Sequence, residues 1–215
     1  KADAILDDKL TGLEQKSLWQ ALSEARREVR EIPEAWVRRK ENLGYDFYAL
    51  HPKQQLTARF GTGEVQLVSS ERTYTEADAG QPTTAWEAKM RLQSFAGREV
   101  AAEAKPEKVA GSRVEYQRAA GLTEWYDNGT EAMEHGFTVT GRPEHLAAND
   151  EVVLEMRLDG LAATRRDTEE QSLVFRDGER EAGGHQHTAA RCEHQIGGQS
   201  GLQIHAGALC GGVTR

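Results

Sequence analysis

The sequence contains no long apolar run, and no stretch approaches the roughly 20 apolar residues that a transmembrane helix requires. We therefore expect no membrane span. Cysteine is scarce as well. The two cysteines, Cys192 and Cys210, cannot form a disulfide scaffold, and one bridge in the tail or two free thiols fit the sequence equally well.

Positive charge is not in excess, because the net charge at pH 7 is -8. Nonspecific binding to nucleic acid depends on clustered Lys and Arg that neutralise phosphates, so nucleic acid is not an expected partner. The basic runs at residues 26–27 and 38–40 are interleaved with glutamates. This interleaving favours a solvated surface.

Common catalytic motifs are also missing. The chain has no Gly-x-Ser-x-Gly elbow for a serine nucleophile. The run Gly61-Thr62-Gly63-Glu64 lacks the lysine of a phosphate-binding loop. Serine-centred and nucleotide chemistry therefore have no support in the sequence, and no catalytic or cofactor-binding residue is predicted.

Residues 1–43 are predicted to form an N-terminal helical segment. Thr11-Gly12-Leu13-Glu14 has the form of a capping box at a helix start. Apolar residues then recur at steps of four and three, which places them in one stripe of an amphipathic helix: Leu18, Leu22, Ala25, Val29 and Ile32. We expect this stripe to pack on the sheet of the same chain, and pairing with a partner helix is the alternative.

Residues 44–182 are predicted to form an antiparallel β-sandwich, which makes the chain mainly β. Leu56, Ala58 and Phe60 alternate with polar residues, and the alternation resumes after a turn at residues 61–63. Glycine turn signals separate further short strands, and no helical pattern lies between them. Many short strands at this spacing are typical of two stacked antiparallel sheets.

Residues 183–215 differ in composition from the rest of the chain. Gly, His, Gln and Ala dominate there and aromatic residues vanish. Such a segment buries too little apolar surface to offset the entropy of ordering it. We expect a partly disordered tail that contributes at most one edge strand, around Leu202 to Ile204.

The block from Glu124 to Phe137 is the most informative part of the sequence. It reads as two strands folded back on each other, with a tight Asn128-Gly129 turn between them. Trp125, Tyr126 and Phe137 are expected to supply buried area there, as structural aromatics or as ligand contacts. If Trp125 faces the core, Glu124 points to the opposite face of the strand and is expected to be solvated.

Two alternative functions attach to particular residues. Glu124, Glu131 and Glu134 flank the aromatic block. Two carboxylates some 5 to 10 Å apart can hydrolyse a glycosidic bond, so a carbohydrate-binding or glycoside-hydrolysing protein that uses Glu124 or Glu134 is one alternative. Imidazole and thiolate are ligands that zinc and copper prefer. A zinc or copper site in the tail would use His185, His187, Cys192 and His194.

A resemblance to a known family follows the same block. The runs 122–129 and 133–139, followed by Arg142-Pro143, are similar to the β-rich region that precedes the repeats in bacterial surface and secreted proteins with FG-GAP, integrin-alpha-like repeats. The segment 47–60 resembles the first strands of that region. The likeness covers residues 44–175.

The resemblance implies a noncatalytic, exported interaction or adhesion module that recognises a protein or a cell-surface component. It implies a periplasmic or extracellular location, and the start at Lys1 without methionine fits a removed export signal. The expected partner is a protein or a glycan.

Overall fold

The computed structural model describes the backbone of residues 12–70, 72–73, 83–84, 86–147, 150, 152–166, 169–177, 180–181, 189–197 and 201–209. Side chains are described for residues 15–70, 86–147, 150, 152–164 and 175–176. Helix α1 spans Gly12–Arg27 and the short helix α2 spans Glu34–Val37. Two 3-10 helices span Lys40–Asn42 and Pro52–Gln54.

The strands of the first sheet all pair antiparallel. Their order across the sheet is β1-β2-β3-β4-β7-β13, with β8 paired to β7. Their bounds are β1 Arg30–Glu31, β2 Tyr45–His51, β3 Leu56–Gly61, β4 Glu64–Ser69, β7 Glu87–Phe95, β8 Arg98–Glu99 and β13 Leu154–Asp159. Two short strands, β5 Arg72–Thr73 and β6 Thr83–Thr84, pair with each other.

The strands of the second sheet also pair antiparallel. Their order is β14-β15-β17-β18-β12-β11-β10-β9, with β16 paired to β15. Their bounds are β9 Glu107–Lys108, β10 Arg113–Ala119, β11 Leu122–Asn128, β12 Met133–Val139, β14 Ala162–Arg166, β15 Glu169–Asp177, β16 Arg180–Glu181, β17 Ala189–Gly197 and β18 Gly201–Leu209.

The core lies between the two sheets, and its described side chains form two apolar clusters. In the larger cluster, Phe60 and Val65 of the first sheet pack with Tyr116 and Tyr126 of the second. The smaller cluster is built the same way from residues nearer one end of the sandwich: Leu92, Phe95, Ala96, Leu122, Phe137 and Val139. The prediction of a mainly β, antiparallel sandwich with an N-terminal helix is confirmed.

The course of the N-terminal stripe differs from its prediction. Helix α1 ends at Arg27, and within it Leu22 (36%) and Ala25 are exposed and Leu18 is half-buried, so the helix does not bury the predicted stripe against the sheet. Val29 and Ile32 are buried, but they lie outside the helix, on either side of β1. The reason is tertiary, because Val29 N donates to Gly111 O at 2.7 Å and the main chain leaves the helix to reach this partner.

Neither helix in the described part of the chain has the length and apolar character that a membrane crossing requires.

The turn between β11 and β12 also differs from its prediction. Asn128 is the last residue of β11 rather than a turn residue, and neither it nor Gly129 has a positive φ. Its buried amide Nδ2 donates to Arg27 O at 2.9 Å and Leu50 O at 3.0 Å. The amide therefore ties the end of α1 to β2, and the connection to β12 uses residues 129–132.

The tail contributes more backbone to the sheet than the sequence suggests. Strand β18 pairs with β12 on one side and with β17 on the other. The predicted edge strand around residues 202–204 therefore lies inside the second sheet. Pairing of main-chain groups is independent of composition, which is why composition gave no sign of it.

Candidate functional site

Four polar side chains of the second sheet meet inside the sandwich. We call Arg118, Glu124, Tyr126 and His135 the buried tetrad. Arg118 Nε donates to Glu124 Oε2 at 2.6 Å, and Tyr126 OH donates to Glu124 Oε1 at 2.8 Å. His135 Nε2 lies 2.9 Å from the same Oε1, and it is the donor because an ionised carboxylate only accepts. The side chains of Arg118 and Glu124 are 1% and 0% exposed.

Strand register brings the tetrad together. Tyr116 of β10 and Phe137 of β12 lie opposite Glu124 on the two sides of β11, and Tyr126 lies opposite His135. Arg118 is the residue at the irregularity in β10 between Gln117 and Ala119. Because alternate residues of a strand share a face, these positions all turn to the interior.

The tetrad is held by aromatic rings as well as by hydrogen bonds. The Tyr126 and His135 rings stack with centroids 4.3 Å apart, and Phe137 meets His135 edge-on at 4.9 Å. Phe60 of the first sheet packs on Tyr126 at 5.5 Å. The tetrad is therefore enclosed by both sheets.

The tetrad fixes the charge of its carboxylate. Burial by itself raises the pKa of Glu124, but the hydrogen bond and charge of His135, the charge of Arg118 and the Tyr126 hydroxyl outweigh burial and lower the pKa to about 2. Burial and the nearby Glu124 charge raise the pKa of Tyr126 well above its usual range. Glu124 is thus ionised and Tyr126 neutral at physiological pH.

The three aromatics singled out from the sequence are all buried, but not on one face. Tyr126 and Phe137 turn to the interior with the tetrad. Trp125 turns to the opposite face, where its ring lies over Gly136 and 4.3 Å from the Arg113 guanidinium. The expectation that a buried Trp125 leaves Glu124 solvated is wrong, because β11 is covered on both faces.

The candidate acids of a glycosidase are not brought together. Glu124 turns to the interior, whereas Glu134 is exposed and lies opposite Asp127 in the strand register. Two carboxylates on opposite faces of a sheet cannot flank one glycosidic bond. Glu131 is also exposed and pairs with Lys53 at 2.6 Å.

The side chains of all four predicted metal ligands lie outside the described side chains. His185 and His187 lie outside the described residues. Cys192 and His194 lie on β17, where their backbones are in register with Ala206 and Ile204 of β18. Zinc or copper binding by this set stays a prediction.

A second group of residues forms an exposed surface beside the first sheet. The Trp36 ring of α2 lies 5.9 Å from the Tyr48 ring of β2, and the Arg39 guanidinium lies 5.3 Å from the Trp36 ring. Trp36 is 39% exposed and Leu50, on the same face of β2 as Tyr48, is 44% exposed. Tyr48 and Leu50 continue into a small groove of about 180 Å³.

The groove carries basic side chains. It is lined by Arg26, Glu28, Arg30, Tyr48, Leu50 and Pro52. Glu28 is held by Lys108 at 3.1 Å, whereas Arg26 and Arg30 form no ion pair with a carboxylate among the described side chains. We call the groove residues together with Trp36 and Arg39 the aromatic–arginine surface.

A larger cleft opens at one end of the sandwich. Its volume is about 580 Å³, and we call it the end cleft; it is lined by Phe95, Arg98, Glu99, Val100, Ala119, Ala120, Pro143, Glu144 and His145. Phe95, Val100 and Ala119 also belong to the smaller apolar cluster around Leu122. The end cleft therefore opens beside the smaller cluster.

Sequence reasoning missed the tetrad and the aromatic–arginine surface. A signal for the tetrad was present, since Arg118 and Glu124 stand at alternating positions from Tyr116 and Tyr126 on neighbouring strands. Opposite charges at core positions of paired strands indicate a buried ion pair.

No protein-family model, curated protein or solved structure matches this chain. The likeness to FG-GAP repeat proteins therefore stays a prediction.

Proposed function

We propose that this chain is a noncatalytic interaction module that binds an acidic segment of a partner protein at the aromatic–arginine surface. The observation that carries the proposal is the exposed contact of Trp36 with Tyr48 and Arg39, next to a groove with two arginines that have no described carboxylate partner. Export from the cell is part of the proposal, and it rests on the sequence resemblance alone.

The residue types favour a protein partner over a glycan. Trp, Tyr and Arg are enriched among the residues that dominate binding energy in protein interfaces. Leu50 and Val37 add exposed aliphatic area at 44% each, and an aliphatic surface suits a polypeptide better than a sugar. A cluster of exposed apolar residues with a polar rim is typical of an interaction site.

The charges favour an acidic segment. Arg26 and Arg30 lie in the groove, and Glu28, its one acidic lining residue, is already engaged by Lys108. Guanidinium groups bind carboxylates with two parallel hydrogen bonds, which gives both affinity and orientation. An Asp or Glu side chain next to an apolar residue therefore fits the groove and the Trp36 face together.

The position of the tetrad supports the noncatalytic part of the proposal. Among the described side chains, Glu124 and His135 are an acid and an imidazole within hydrogen-bond distance of each other, but both are enclosed between the sheets. A general acid or base has to reach its substrate directly or through one water. The enclosed pair therefore suits a structural role.

A random peptide library selected against the purified chain tests the proposal. We expect enriched peptides to carry Asp or Glu beside an aliphatic or aromatic residue. Trp36→Ala and Arg30→Glu should each weaken binding of a selected peptide by about 30-fold, which is about 2 kcal/mol and typical of a hot-spot residue. Fluorescence anisotropy gives the dissociation constants.

The matched control is Arg98→Glu, which makes the same charge change at an exposed arginine of the end cleft. It should leave peptide affinity unchanged, and circular dichroism should confirm that all variants are folded. Peptides that bind equally well to the Trp36→Ala and Arg30→Glu proteins would refute the proposed surface. Binding to acidic glycans on an array, with no peptide enriched, would refute the protein partner.

A further inference from the structure

Arg118 has more hydrogen-bond donors than the described residues can satisfy. Its Nε donates to Glu124, but Nη1 and Nη2 are buried and have no hydrogen-bond partner among the described residues. A guanidinium carries five N–H groups, so the four on Nη1 and Nη2 have no acceptor among the described residues. Buried polar groups of native proteins are nearly always satisfied.

The described neighbours of Arg118 offer fewer free acceptor positions than Nη1 and Nη2 have N–H groups. Glu124 already receives hydrogen bonds from Arg118, Tyr126 and His135. Tyr116 offers its ring face at 4.3 Å from the guanidinium carbon, and its hydroxyl donates to Glu64 O at 3.3 Å. Donors therefore exceed acceptors in this part of the interior, which favours a group that accepts hydrogen bonds and carries negative charge.

Arg118 lies at the end of the sandwich where the end cleft opens. Ala119, which follows it directly, lines the cleft together with Ala120. Leu122 lies opposite Ala119 in the register of β10 and β11. It packs in the smaller apolar cluster with the cleft residues Phe95 and Val100. The backbone of Arg118 therefore lies next to the lining of the end cleft.

We propose that the interior beside Arg118 binds a small monovalent anion, a halide or a carboxylate of formate size, held by Nη1 and Nη2 and admitted through the end cleft. The guanidinium fork matches a single halide or the two oxygens of a carboxylate. The low dielectric of the interior strengthens the attraction to the cation. The site is independent of the aromatic–arginine surface.

The test is urea denaturation of the full chain at fixed ionic strength and pH, with chloride, bromide or formate replacing a large organic anion. An anion that binds only the folded chain raises the ratio of folded to unfolded protein. The ratio should rise as 1 + [anion]/Kd, which is about 100-fold at a concentration 100 times the dissociation constant. A general salt effect, by contrast, acts on the whole protein surface, so it should remain in an Arg118 variant that has lost the site.

Two variants locate the site. Arg118→Lys keeps the charge and removes the fork, so the stabilisation by small anions should be lost. Arg98→Lys makes the same change at the mouth of the end cleft and should retain it. If the Arg118→Lys chain does not fold, crystals of the wild-type chain soaked in bromide decide, with an anomalous peak expected at hydrogen-bond distance from Nη1 or Nη2.

Three results would overturn the proposal. The first is a stability that does not depend on the identity of the anion, which would mean that water satisfies Arg118. The second is a response that disappears in Arg98→Lys and persists in Arg118→Lys, which would place the ion at the cleft mouth. The third is bromide bound elsewhere in the crystal and absent from Arg118.

Discussion

Replacing Glu124 with glutamine removes the one negative charge of the buried tetrad and leaves its shape nearly unchanged. Arg118 then keeps a positive charge that is 1% exposed and has lost its counterion. Breaking a buried ion pair from one side costs about 3–5 kcal/mol, because the remaining charge is buried without compensation. We expect the free energy of unfolding at pH 7 to fall by about that amount in Glu124→Gln.

The pH dependence gives a second value for the stabilisation that Glu124 contributes. The pKa of Glu124 is lowered from 4.5 to about 2, and this difference corresponds to about 3 kcal/mol at about 1.4 kcal/mol for each pH unit. The unfolded carboxyl binds its proton at higher pH than the folded one. The stabilisation by Glu124 is therefore fully present above about pH 4.5 and is lost as the pH falls toward 2.

The assay is urea denaturation followed by tryptophan fluorescence at a series of pH values from 7 to 2. The free energy of unfolding of the wild-type chain should fall more steeply below about pH 4.5 than that of Glu124→Gln. The difference between the two free energies should shrink by about 3 kcal/mol between pH 7 and pH 2. Glu131→Gln is the matched control, because Glu131 is an exposed glutamate paired with Lys53. The urea midpoint of Glu131→Gln at pH 7 should equal that of the wild-type chain within experimental error.

A double variant separates charge from packing. Arg118→Met with Glu124→Gln removes both charges, so we expect it to be more stable than Glu124→Gln alone by about 2 kcal/mol, since neutralised pairs often tolerate burial. The reasoning is refuted if Glu124→Gln loses less than about 1 kcal/mol and keeps the wild-type pH profile. A double variant less stable than both single variants would refute it as well.

Two further predictions concern packing and a buried histidine. A Cβ at Gly136 would lie 2.7 Å from Cε2 of the Trp125 ring, so Gly136→Ala should cost about 1–3 kcal/mol in urea denaturation. Gly141→Ala, whose Cβ meets nothing within 4 Å, is its control, and equal effects would contradict the overlap. Burial lowers the pKa of His51, so the unfolded chain takes up its proton first and stability should fall as the pH drops through about 6.5. His51→Gln should remove that part of the pH dependence, and an unchanged profile would contradict this.

Strand positions were predictable because apolar and polar residues alternate within short segments of the sequence. Leu56, Ala58 and Phe60 were expected on one face, and all three are buried in the larger apolar cluster. The turn at residues 62–63 between β3 and β4 followed from its glycines in the same way. Alternation needs only the two-residue repeat of the strand, so no knowledge of the partner strand was required.

The faces of β11 were not predictable from the same repeat. Alternation places Trp125 and Glu124 on opposite faces, but it does not say that both faces are covered. Burial of the two faces of β11 depends on the first sheet and on the residues that pack over Trp125. The sequence therefore led to a solvated Glu124, whereas the structure buries it with Arg118 and His135.

The sequence alone determined the class of the fold, the positions of many strands and the acidic net charge, because these depend on local repeats and on composition. The tertiary structure decided where α1 ends, which carboxylate is enclosed, and that Trp36 meets Tyr48. These features depend on contacts between residues far apart in the chain. Asn128 illustrates the difference, since its amide bonds to Arg27 O, 101 residues earlier, and no local pattern specifies that partner.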